Sequence, residues 1–209
     1  FIQTAPAGDL LMLGRSFGTL ARNIIRPMIR MIGGDAVFLP SQNLIRVWGR
    51  DIYCYGEGKA DSVAVIQGMT CSGGYGDELT LWPEEVFKMM LSRMSIDGAK
   101  FFGTTNPDSP MHWLKKNWLD RADELDLKSF HFVLDDNEFL PPDYIKALKR
   151  EYTGLWYKRY ILGLWAVAEG VIYDFFDDKP PFVLAPEDLP EAQYYMSAID
   201  YGTKNPFFC

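Results

Sequence analysis

Short apolar runs alternate with amphipathic stretches along most of the chain. Residues 9–14 form an apolar run of strand length, which predicts a buried strand. Apolar side chains at helical spacing follow, so we expect a helix that begins at Leu20 with Thr19 as its cap. Pro27 should kink this helix and Gly33 should end it. The pattern therefore begins with a strand followed by a helix.

The next hundred residues repeat this alternation. Polar and apolar positions alternate over residues 44–55 around Gly49, which indicates a β-hairpin. Residues 63–67 and 69–75 are predicted as further extended segments. Pro83 is typical of the first turn of a helix, and the pattern predicts that this helix reaches about residue 94.

The pattern continues to about residue 165. We expect strands around residues 101–102 and over residues 129–134. Helices are predicted over residues 111–125, 141–152 and 155–165. Strands that alternate with amphipathic helices predict an α/β fold with a mainly parallel sheet.

Composition changes after this region and indicates a domain boundary. Proline and acidic residues punctuate residues 169–190, as in a connecting segment. Residues 191–209 begin another strand, which we predict to be the start of a second domain. The first domain is then residues 1–168.

Overall charge limits the nucleic-acid contacts that this chain can make. The sequence has 21 Lys and Arg residues against 28 Asp and Glu residues, a net charge of −7. A protein that coats DNA uniformly would be basic, so any DNA contact must be a local patch. Three distant cysteines and two histidines do not have zinc-site spacing, and they fit a reducing cytoplasm. The sequence has no apolar run near the roughly 18 residues of a membrane span.

Two basic clusters are candidates for such a patch. Arg22, Arg26 and Arg30 recur every four residues on one predicted helix face, where they could meet DNA phosphates. A solvated helix face is the more common use of such a stripe. The second cluster accompanies aromatic residues that could stack on bases, although aromatic residues at this spacing more often belong to a core. The basic residues of this cluster are Lys146, Lys149, Arg150, Lys158 and Arg159, and the aromatic residues beside them are Trp156, Tyr157, Tyr160 and Trp165.

The candidate chemistry lies where two predicted strands end. Asp77 and Glu78 follow the strand that ends near residue 75, and Thr104 and Thr105 follow the next strand. Mg²⁺ prefers one or two carboxylates and keeps several waters, so Asp77 could hold it. Glu78 could take a proton from an attacking water, and the threonines could sense a γ-phosphate. Solvated surface charge is the alternative for an Asp-Glu pair.

Other polar residues leave their roles open. The segment from Gly8 to Ser16 does not fit the phosphate-binding pattern, because its glycines are too far apart and Arg15 replaces the lysine. Arg15 itself could approach a nucleotide or form a structural ion pair. Asp200 ends a predicted strand, where two-metal nucleases place a ligand, although an aspartate is also a common turn residue.

Taken together in order, seven segments resemble the large subunit of tailed-phage terminases, with the prophage-type members most similar. These segments are residues 66–70, 76–78, 104–110, 134–137, 156–165, 169–173 and 198–202. The resemblance implies a P-loop NTPase domain of the RecA-like (ASCE) branch, a linker, and the first strand of an RNase H-like nuclease domain. The phosphate-binding loop and the other nuclease carboxylates would then lie outside these 209 residues, and we expect the chain alone to be inactive.

Residue roles follow from the same resemblance. It implies that Asp77 is the Walker B ligand of Mg²⁺ and that Glu78 is the catalytic base of ATP hydrolysis. Thr104 and Thr105 match the motif that couples hydrolysis to DNA movement. Asp200 matches the first ligand of Mg²⁺ or Mn²⁺ at the nuclease site.

The resemblance also implies partners and a location. The family packages double-stranded DNA into the procapsid and cuts concatemers, acting as a ring with the portal protein and the small terminase subunit. It works in the host cytoplasm, docked on the portal and away from membranes. Many relatives have an arginine where Gln67 stands, so Arg15, Arg46 and Arg50 are candidates for the arginine finger. A helicase-like P-loop ATPase and a non-catalytic scaffold module remain alternatives.

Overall fold

A six-stranded sheet forms the centre of the molecule. The computed structural model describes residues 1–56, 64, 66–167, 180, 183–184 and 188–189. The chain divides into two compact units, Phe1–Glu169 and Gly170–Cys209, and the sheet lies in the first. Its strands are β1 (Asp9–Gly14), β2 (Ala36–Leu39), β3 (Leu44–Val47), β4 (Arg50–Gly56), β5 (Cys71–Gly76) and β6 (Lys100–Gly103).

The order of the strands confirms the predicted α/β fold with a mainly parallel sheet. The order is β2-β3-β4-β1-β5-β6. β1 runs parallel to β4 and β5, and β5 runs parallel to β6. Only the β2-β3 and β3-β4 pairs are antiparallel. The carboxyl ends of four strands therefore meet at one edge, which is where open α/β sheets bind their ligands.

The side chains of β1 explain why this strand is central. Four consecutive apolar residues are buried, and successive side chains point to opposite faces of the sheet. Leu10 and Met12 belong to one core cluster, whereas Leu11 and Leu13 belong to the other. A strand buried on both faces needs such a continuous apolar run.

Helical residues 17–32 cover the first face. They comprise α-helix Phe17–Leu20, a π-helical turn Ala21–Ile25 and α-helix Arg26–Ile32. The predicted cap at Thr19 is wrong, because the Ser16 side chain accepts a hydrogen bond from the Thr19 backbone and caps the helix three residues earlier. The π-helical turn ends two residues before Pro27, which has no N–H for the helical ladder. Gly33, at φ 73°, ends the helix as expected.

Aromatic packing covers the second face. Helix Glu84–Ser92 follows Pro83 and buries Phe87 and Met90. The Phe87 ring meets the rings of Phe101 and Trp118 edge to face, at centroid distances of 5.3 and 4.7 Å. Trp118 ends the π-helix Leu114–Trp118, so the predicted helix over residues 111–125 is present only as short helical pieces.

The predicted hairpin is confirmed. β3 and β4 pair antiparallel through a two-residue turn, Trp48-Gly49, and both turn residues have positive φ. Such a turn matches the twist of the strands that it connects. The remaining helices are α-helices Pro142–Glu151 and Gly154–Trp156, π-helix Tyr157–Ile161, and 3-10 helices Gly33–Asp35, Pro40–Gln42, Leu79–Leu81, Leu119–Arg121 and Leu134–Asp136.

Three predicted segments differ from the structure. Ala64, Ile66 and Gln67 are helical instead of extended, and Ile66 is fully buried, so packing overrides the strand preference of β-branched residues. Residues 129–133 pair with no strand in the described part of the chain, and Phe130 and Phe132 are exposed. The helix predicted over residues 155–165 ends at Ile161. No helix among the described residues is long and apolar enough to cross a membrane.

Candidate functional site at the carboxyl edge of the sheet

Asp77 and Thr104 lie side by side at the carboxyl edge of the sheet. β5 and β6 are in register from Gly73 and Lys100 to Gly76 and Gly103, so the next residues, Asp77 and Thr104, are neighbours. The Asp77 backbone N–H donates to the Leu13 carbonyl at 2.9 Å, and the Thr104 N–H donates to the Gly76 carbonyl at 2.9 Å. The sheet pairing therefore extends one residue beyond the strands and fixes both backbones.

The Asp77 carboxylate is buried and held by two hydroxyl groups. Its residue is only 8% exposed. The hydroxyls of Tyr75 and Thr104 donate to Asp77 Oδ1 at 3.1 and 3.0 Å. Tyr75 reaches Asp77 because residues two apart in a strand project from the same face. Asp77 is therefore not the solvated surface charge of the alternative interpretation.

Tyr75 remains a hydroxyl donor at neutral pH. Burial of the phenol raises the pKa of Tyr75 to about 12, and the nearby Asp77 carboxylate acts in the same direction. The hydrogen bond with Thr104 acts in the opposite direction and is smaller than the effect of burial. The phenol proton is thus available to the carboxylate at physiological pH.

Glu78 has an unusual backbone conformation. Its φ of 56° and ψ of 52° lie in the left-handed region, which costs a non-glycine residue of the order of 1 kcal/mol. Bonds on both sides hold this turn: the Leu79 N–H donates to the Thr104 carbonyl, and the Trp82 indole donates to the Asp77 carbonyl. The half-buried Glu78 side chain has no hydrogen bond or ion pair with the described residues. Its carboxylate is therefore available for chemistry.

The Thr105 hydroxyl bonds to Thr80 instead of to Asp77. Its hydroxyl accepts from the Thr80 backbone at 3.0 Å and lies 2.8 Å from the Thr80 hydroxyl. Thr104 thus contacts the carboxylate, while Thr105 ties the loop after β6 to the turn after Glu78. The two adjacent threonines have different structural roles.

A histidine extends this connection. His112 Nδ1 accepts from the Leu114 N–H at 3.1 Å, so Nε2 carries the proton and donates to the Thr80 carbonyl at 3.1 Å. The imidazole also lies against the ring of Trp165, at a centroid distance of 6.2 Å. The turn after Glu78 is therefore connected to the end of the first unit.

A second connection joins the loop after β6 to residues 159–166. The Arg159 guanidinium pairs with Asp108 at 2.6 Å and also donates to the Ala166 carbonyl through Nε and a terminal nitrogen. The Ala166 N–H in turn donates to the Asp108 carbonyl at 3.0 Å. Charge-assisted bonds of this kind are among the stronger ones in proteins.

The candidate arginines differ in their surroundings. Arg15 follows β1 at the carboxyl edge, is exposed, and has no ion pair or hydrogen bond with the residues that the structure describes. Arg46 pairs with Asp51 at 2.6 Å. Arg50 lies at the opposite edge, where it donates to backbone carbonyls of residues 2–8. Asp200 lies outside the described residues.

The structure also shows the surroundings of the two basic clusters. Arg22, Arg26 and Arg30 are exposed and line an open cleft of about 460 Å³ with Ile29. In the second cluster, Trp156 stacks on Tyr160 with ring centroids 5.1 Å apart. Both aromatic residues are exposed, so the expectation that they belong to the core is wrong.

The oxygen chemistry of the site fits Mg²⁺. Asp77 Oδ2 accepts no hydrogen bond from the described residues, although Oδ1 accepts two. No group of three or more metal-binding side chains occurs in the described part of the chain. A metal at Asp77 would therefore take most of its ligands from water and substrate phosphates, which is the usual arrangement for Mg²⁺.

Sequence reasoning found Asp77, Glu78 and Thr104 but missed Tyr75, Trp82 and His112. The position of Tyr75 two residues before Asp77 was a usable signal, because strand geometry places the two side chains on one face. The contacts of Trp82 and His112 depend on the turn after Glu78, which the pattern of apolar residues does not predict.

The fold and the site together define a class. A mainly parallel sheet with a buried aspartate and a glutamate at its carboxyl edge is typical of α/β nucleotide hydrolases. The chain belongs to the terminase large subunit family, because the family profile described as "Terminase large subunit, T4likevirus-type, N-terminal" matches residues 15–179. No curated protein sequence matches the chain.

Solved structures agree with this assignment. The large terminase of a thermophilic bacteriophage is 36% identical, with a TM-score of 0.76, and the match covers 99% of this chain and 52% of that one. Structures of the same phage protein in complex with ADP and with ATP-gamma-S each have a TM-score of 0.72 at 36% identity; they match 99% of this chain and 52% and 51% of theirs. The chain thus spans about half the length of the large terminases that it matches.

Proposed function

We propose that this chain forms the edge of a DNA-packaging ATPase at which Mg²⁺ is held and the attacking water is activated. In the full-length large subunit, ATP hydrolysis here would drive double-stranded DNA into the procapsid. The observation that carries the proposal is the buried Asp77 carboxylate, which two hydroxyls hold by one oxygen. The complexes of the thermophilic phage terminase with ADP and ATP-gamma-S support a nucleotide as the ligand.

Asp77 is the residue that would hold the metal. Mg²⁺ supplies charge neutralisation on the transferred phosphoryl group when it is bound. The two hydroxyl bonds to Oδ1 restrict rotation of the carboxylate and leave Oδ2 without a bond from the described residues. A pre-oriented ligand of this kind loses little conformational entropy when it binds.

Glu78 is the proposed general base. Its carboxylate forms no bond with the described residues, so it can accept a proton from water. The left-handed backbone directs the chain sharply away after β5 and is held by the Trp82 and Leu79 hydrogen bonds. Strain that is maintained by surrounding bonds is common at catalytic positions.

Thr104 is the proposed link between hydrolysis and movement. It is exposed, touches the Asp77 carboxylate with its hydroxyl, and continues into the Thr105–Thr80 contact. A change in the hydrogen bond of the Thr104 hydroxyl would therefore affect both the end of β5, through Asp77, and the turn that contains Thr80. Arg15, unpaired among the described residues at the same edge, is the proposed contact to nucleotide.

Other activities of the full-length protein are proposed on the family resemblance. Asp200 would be the first metal ligand of an RNase H-like nuclease that uses Mg²⁺ or Mn²⁺. The portal protein, the small terminase subunit and further copies in a ring would be the partners, in the host cytoplasm. Asp200→Ala should abolish DNA cutting and leave ATP hydrolysis intact. Loss of both activities would indicate a structural role for Asp200.

The deciding experiment is Glu78→Gln in the full-length large subunit. We expect ATP hydrolysis to fall at least about 100-fold, because the base is lost, while nucleotide affinity stays within about threefold. Glu85→Gln is the matched control, because Glu85 is an exposed glutamate on helix Glu84–Ser92 and should leave hydrolysis unchanged. Hydrolysis that survives Glu78→Gln would contradict the assignment of the base, and a non-catalytic scaffold predicts no Mg²⁺-dependent nucleotide affinity in either variant.

A further inference from the structure

The proposed function leaves the role of Tyr75 unassigned. The aromatic ring packs against the first core cluster, while its hydroxyl reaches the site at the carboxyl edge. A tyrosine of this kind combines a rigid apolar anchor with a polar tip. The ring therefore fixes the position of the hydroxyl independently of any ligand.

Three oxygen atoms form a closed triangle at the site. Tyr75 Oη lies 3.1 Å from Asp77 Oδ1 and 3.0 Å from Thr104 Oγ1, and the Thr104 oxygen lies 3.0 Å from Asp77 Oδ1. Each hydroxyl carries one proton, and an ionised carboxylate carries none. Two protons thus serve three contacts, so one contact always lacks a donated proton.

This shortage of protons gives the network several arrangements. Both hydroxyls can donate to the carboxylate, or one hydroxyl can donate to the other, which then donates to the carboxylate. The Thr104 proton can also turn to a different acceptor, because Tyr75 still donates to Asp77. As long as the Tyr75 hydroxyl donates to Asp77, the carboxylate keeps one bond whichever way the Thr104 proton points.

Exposure decides which hydroxyl changes partner. Thr104 is exposed at the edge of the sheet, whereas Tyr75 is half-buried and anchored by its ring. A phosphate or water at the edge can therefore compete for the Thr104 proton. The Tyr75 proton remains directed at the carboxylate.

We propose that Tyr75 is a positioning residue that keeps the Asp77 carboxylate in one orientation while the Thr104 hydroxyl exchanges between Asp77 and bound nucleotide. This inference rests on the proposed function, since it takes Asp77 as the Mg²⁺ ligand and Thr104 as the nucleotide sensor. Without Tyr75, Thr104 is the single side-chain donor to Asp77 among the described residues, and the carboxylate and the nucleotide compete for one proton.

The test is Tyr75→Phe in the full-length large subunit. We measure the Mg²⁺ concentration that gives half-maximal ATP hydrolysis, and the Mg²⁺ dependence of ATP-gamma-S binding by calorimetry. The half-saturating Mg²⁺ concentration should rise roughly tenfold, the effect of one lost hydrogen bond to a charged group. ADP affinity without Mg²⁺ should not change, and the melting temperature should fall only slightly, because the ring is kept and Thr104 still donates to Asp77.

Two further variants make the test specific. Tyr53→Phe is the matched control, since Tyr53 is a half-buried tyrosine of β4 whose hydroxyl bonds to none of the described residues, and its Mg²⁺ requirement should equal wild type. Thr104→Val should reduce hydrolysis but keep a nearly wild-type Mg²⁺ requirement, because Tyr75 still holds Asp77. An equal shift in the Thr104 and Tyr75 variants overturns the proposal, as does an unchanged requirement in Tyr75→Phe.

Asp77→Asn separates this inference from the function on which it rests. If that variant keeps Mg²⁺-dependent hydrolysis, the metal assignment itself is wrong. If it abolishes hydrolysis while Tyr75→Phe behaves as wild type, only the role of Tyr75 is wrong.

Discussion

A charged side chain lies at each of the two edges of the sheet, and the two side chains differ in their hydrogen bonds. At the amino edge, the half-buried Arg50 guanidinium donates to the carbonyls of Ala5, Pro6 and Gly8 and to the Ser72 hydroxyl, at 2.6 to 3.1 Å. At the carboxyl edge, Asp77 accepts two bonds at one oxygen only. Both terminal nitrogens of Arg50 donate within the chain, whereas one carboxylate oxygen of Asp77 accepts no bond from the described residues.

This contrast separates a charge with a structural role from the charge that we propose to hold Mg²⁺. Arg50 connects residues 2–8 to the first residues of β4 and β5, so its bonds hold residues 2–8 against the sheet. Asp77 is more deeply buried than Arg50 yet has fewer partners. A buried carboxylate with few partners costs desolvation energy, and this cost is typical of sites that bind a cation.

The largest expected effect is that of Asp77→Asn in the full-length protein. ATP hydrolysis should fall more than about 100-fold, because the neutral amide cannot replace a carboxylate ligand. The melting temperature should change little, since both hydroxyls can still donate to the amide oxygen. Steady-state hydrolysis and scanning calorimetry measure the two effects, and a protein that unfolds early but hydrolyses ATP would reverse the roles assigned to the two edges.

Arg50→Met should have the opposite signature. Loss of the guanidinium leaves several carbonyls without a donor, and we expect a loss of about 2–4 kcal/mol in the free energy of unfolding. The Mg²⁺ requirement of hydrolysis should stay at its wild-type value. Calorimetry should show an earlier transition for the unit that contains the sheet; a changed Mg²⁺ requirement would mean that the two edges are coupled.

Gly56→Ala tests the packing at the carboxyl edge with a smaller effect. A Cβ at Gly56 would lie 2.7 Å from the Phe17 backbone nitrogen and 2.9 Å from Ser16 Cα, so the start of the first helix must shift. We expect a loss of about 1–3 kcal/mol in stability, measured by calorimetry. Gly34→Ala is the control, because nothing lies within 4 Å of its Cβ position and its φ is not positive. Equal stability of the two variants would show that the first helix can move away from β4.

Arg46→Gln should have the smallest effect and a defined pH dependence. The hydrogen bond from Arg46 holds the pKa of Asp51 below its ordinary value of 3.8. A carboxyl whose pKa is lower in the folded state stabilises the fold above the unfolded pKa, and this contribution is lost as the pH falls through the folded pKa. Wild type should therefore melt slightly above Arg46→Gln at pH 7, and the difference should vanish as the pH falls below 3.8. A difference that persists in acid would assign the effect to packing of the Arg46 side chain.

The parts of the fold that follow from local pattern were predictable. The apolar run of β1, the Gly49 hairpin and the Gly33 helix end are each encoded by neighbouring residues. Residues 129–133 were wrongly predicted as a strand, because alternation there is not accompanied by a pairing partner in the described part of the chain. The π-helical turn before Pro27 was not predictable from spacing, since periodicity does not reveal an inserted residue.

Three residues of the site, Asp77, Glu78 and Thr104, were predictable, but the bonds of the site were not. Asp77 and Thr104 follow consecutive parallel strands, so their proximity follows from topology alone. The division of roles between Thr104 and Thr105 depends on the direction of each hydroxyl. The Thr105 hydroxyl meets Thr80 in the turn after Glu78, and the left-handed backbone of Glu78 has no signature in residues 76–80.

The ion pair between Arg159 and Asp108 has a mechanical consequence. Asp108 lies four residues after Thr104, and the Ala166 backbone bonds to both Arg159 and Asp108. A displacement of this loop must therefore pull residues 159–166 with it or rupture one ion pair and three hydrogen bonds at once. These bonds attach Asp108 to residues 159–166, so we expect a movement of the loop after β6 to be accompanied by a movement of Ala166.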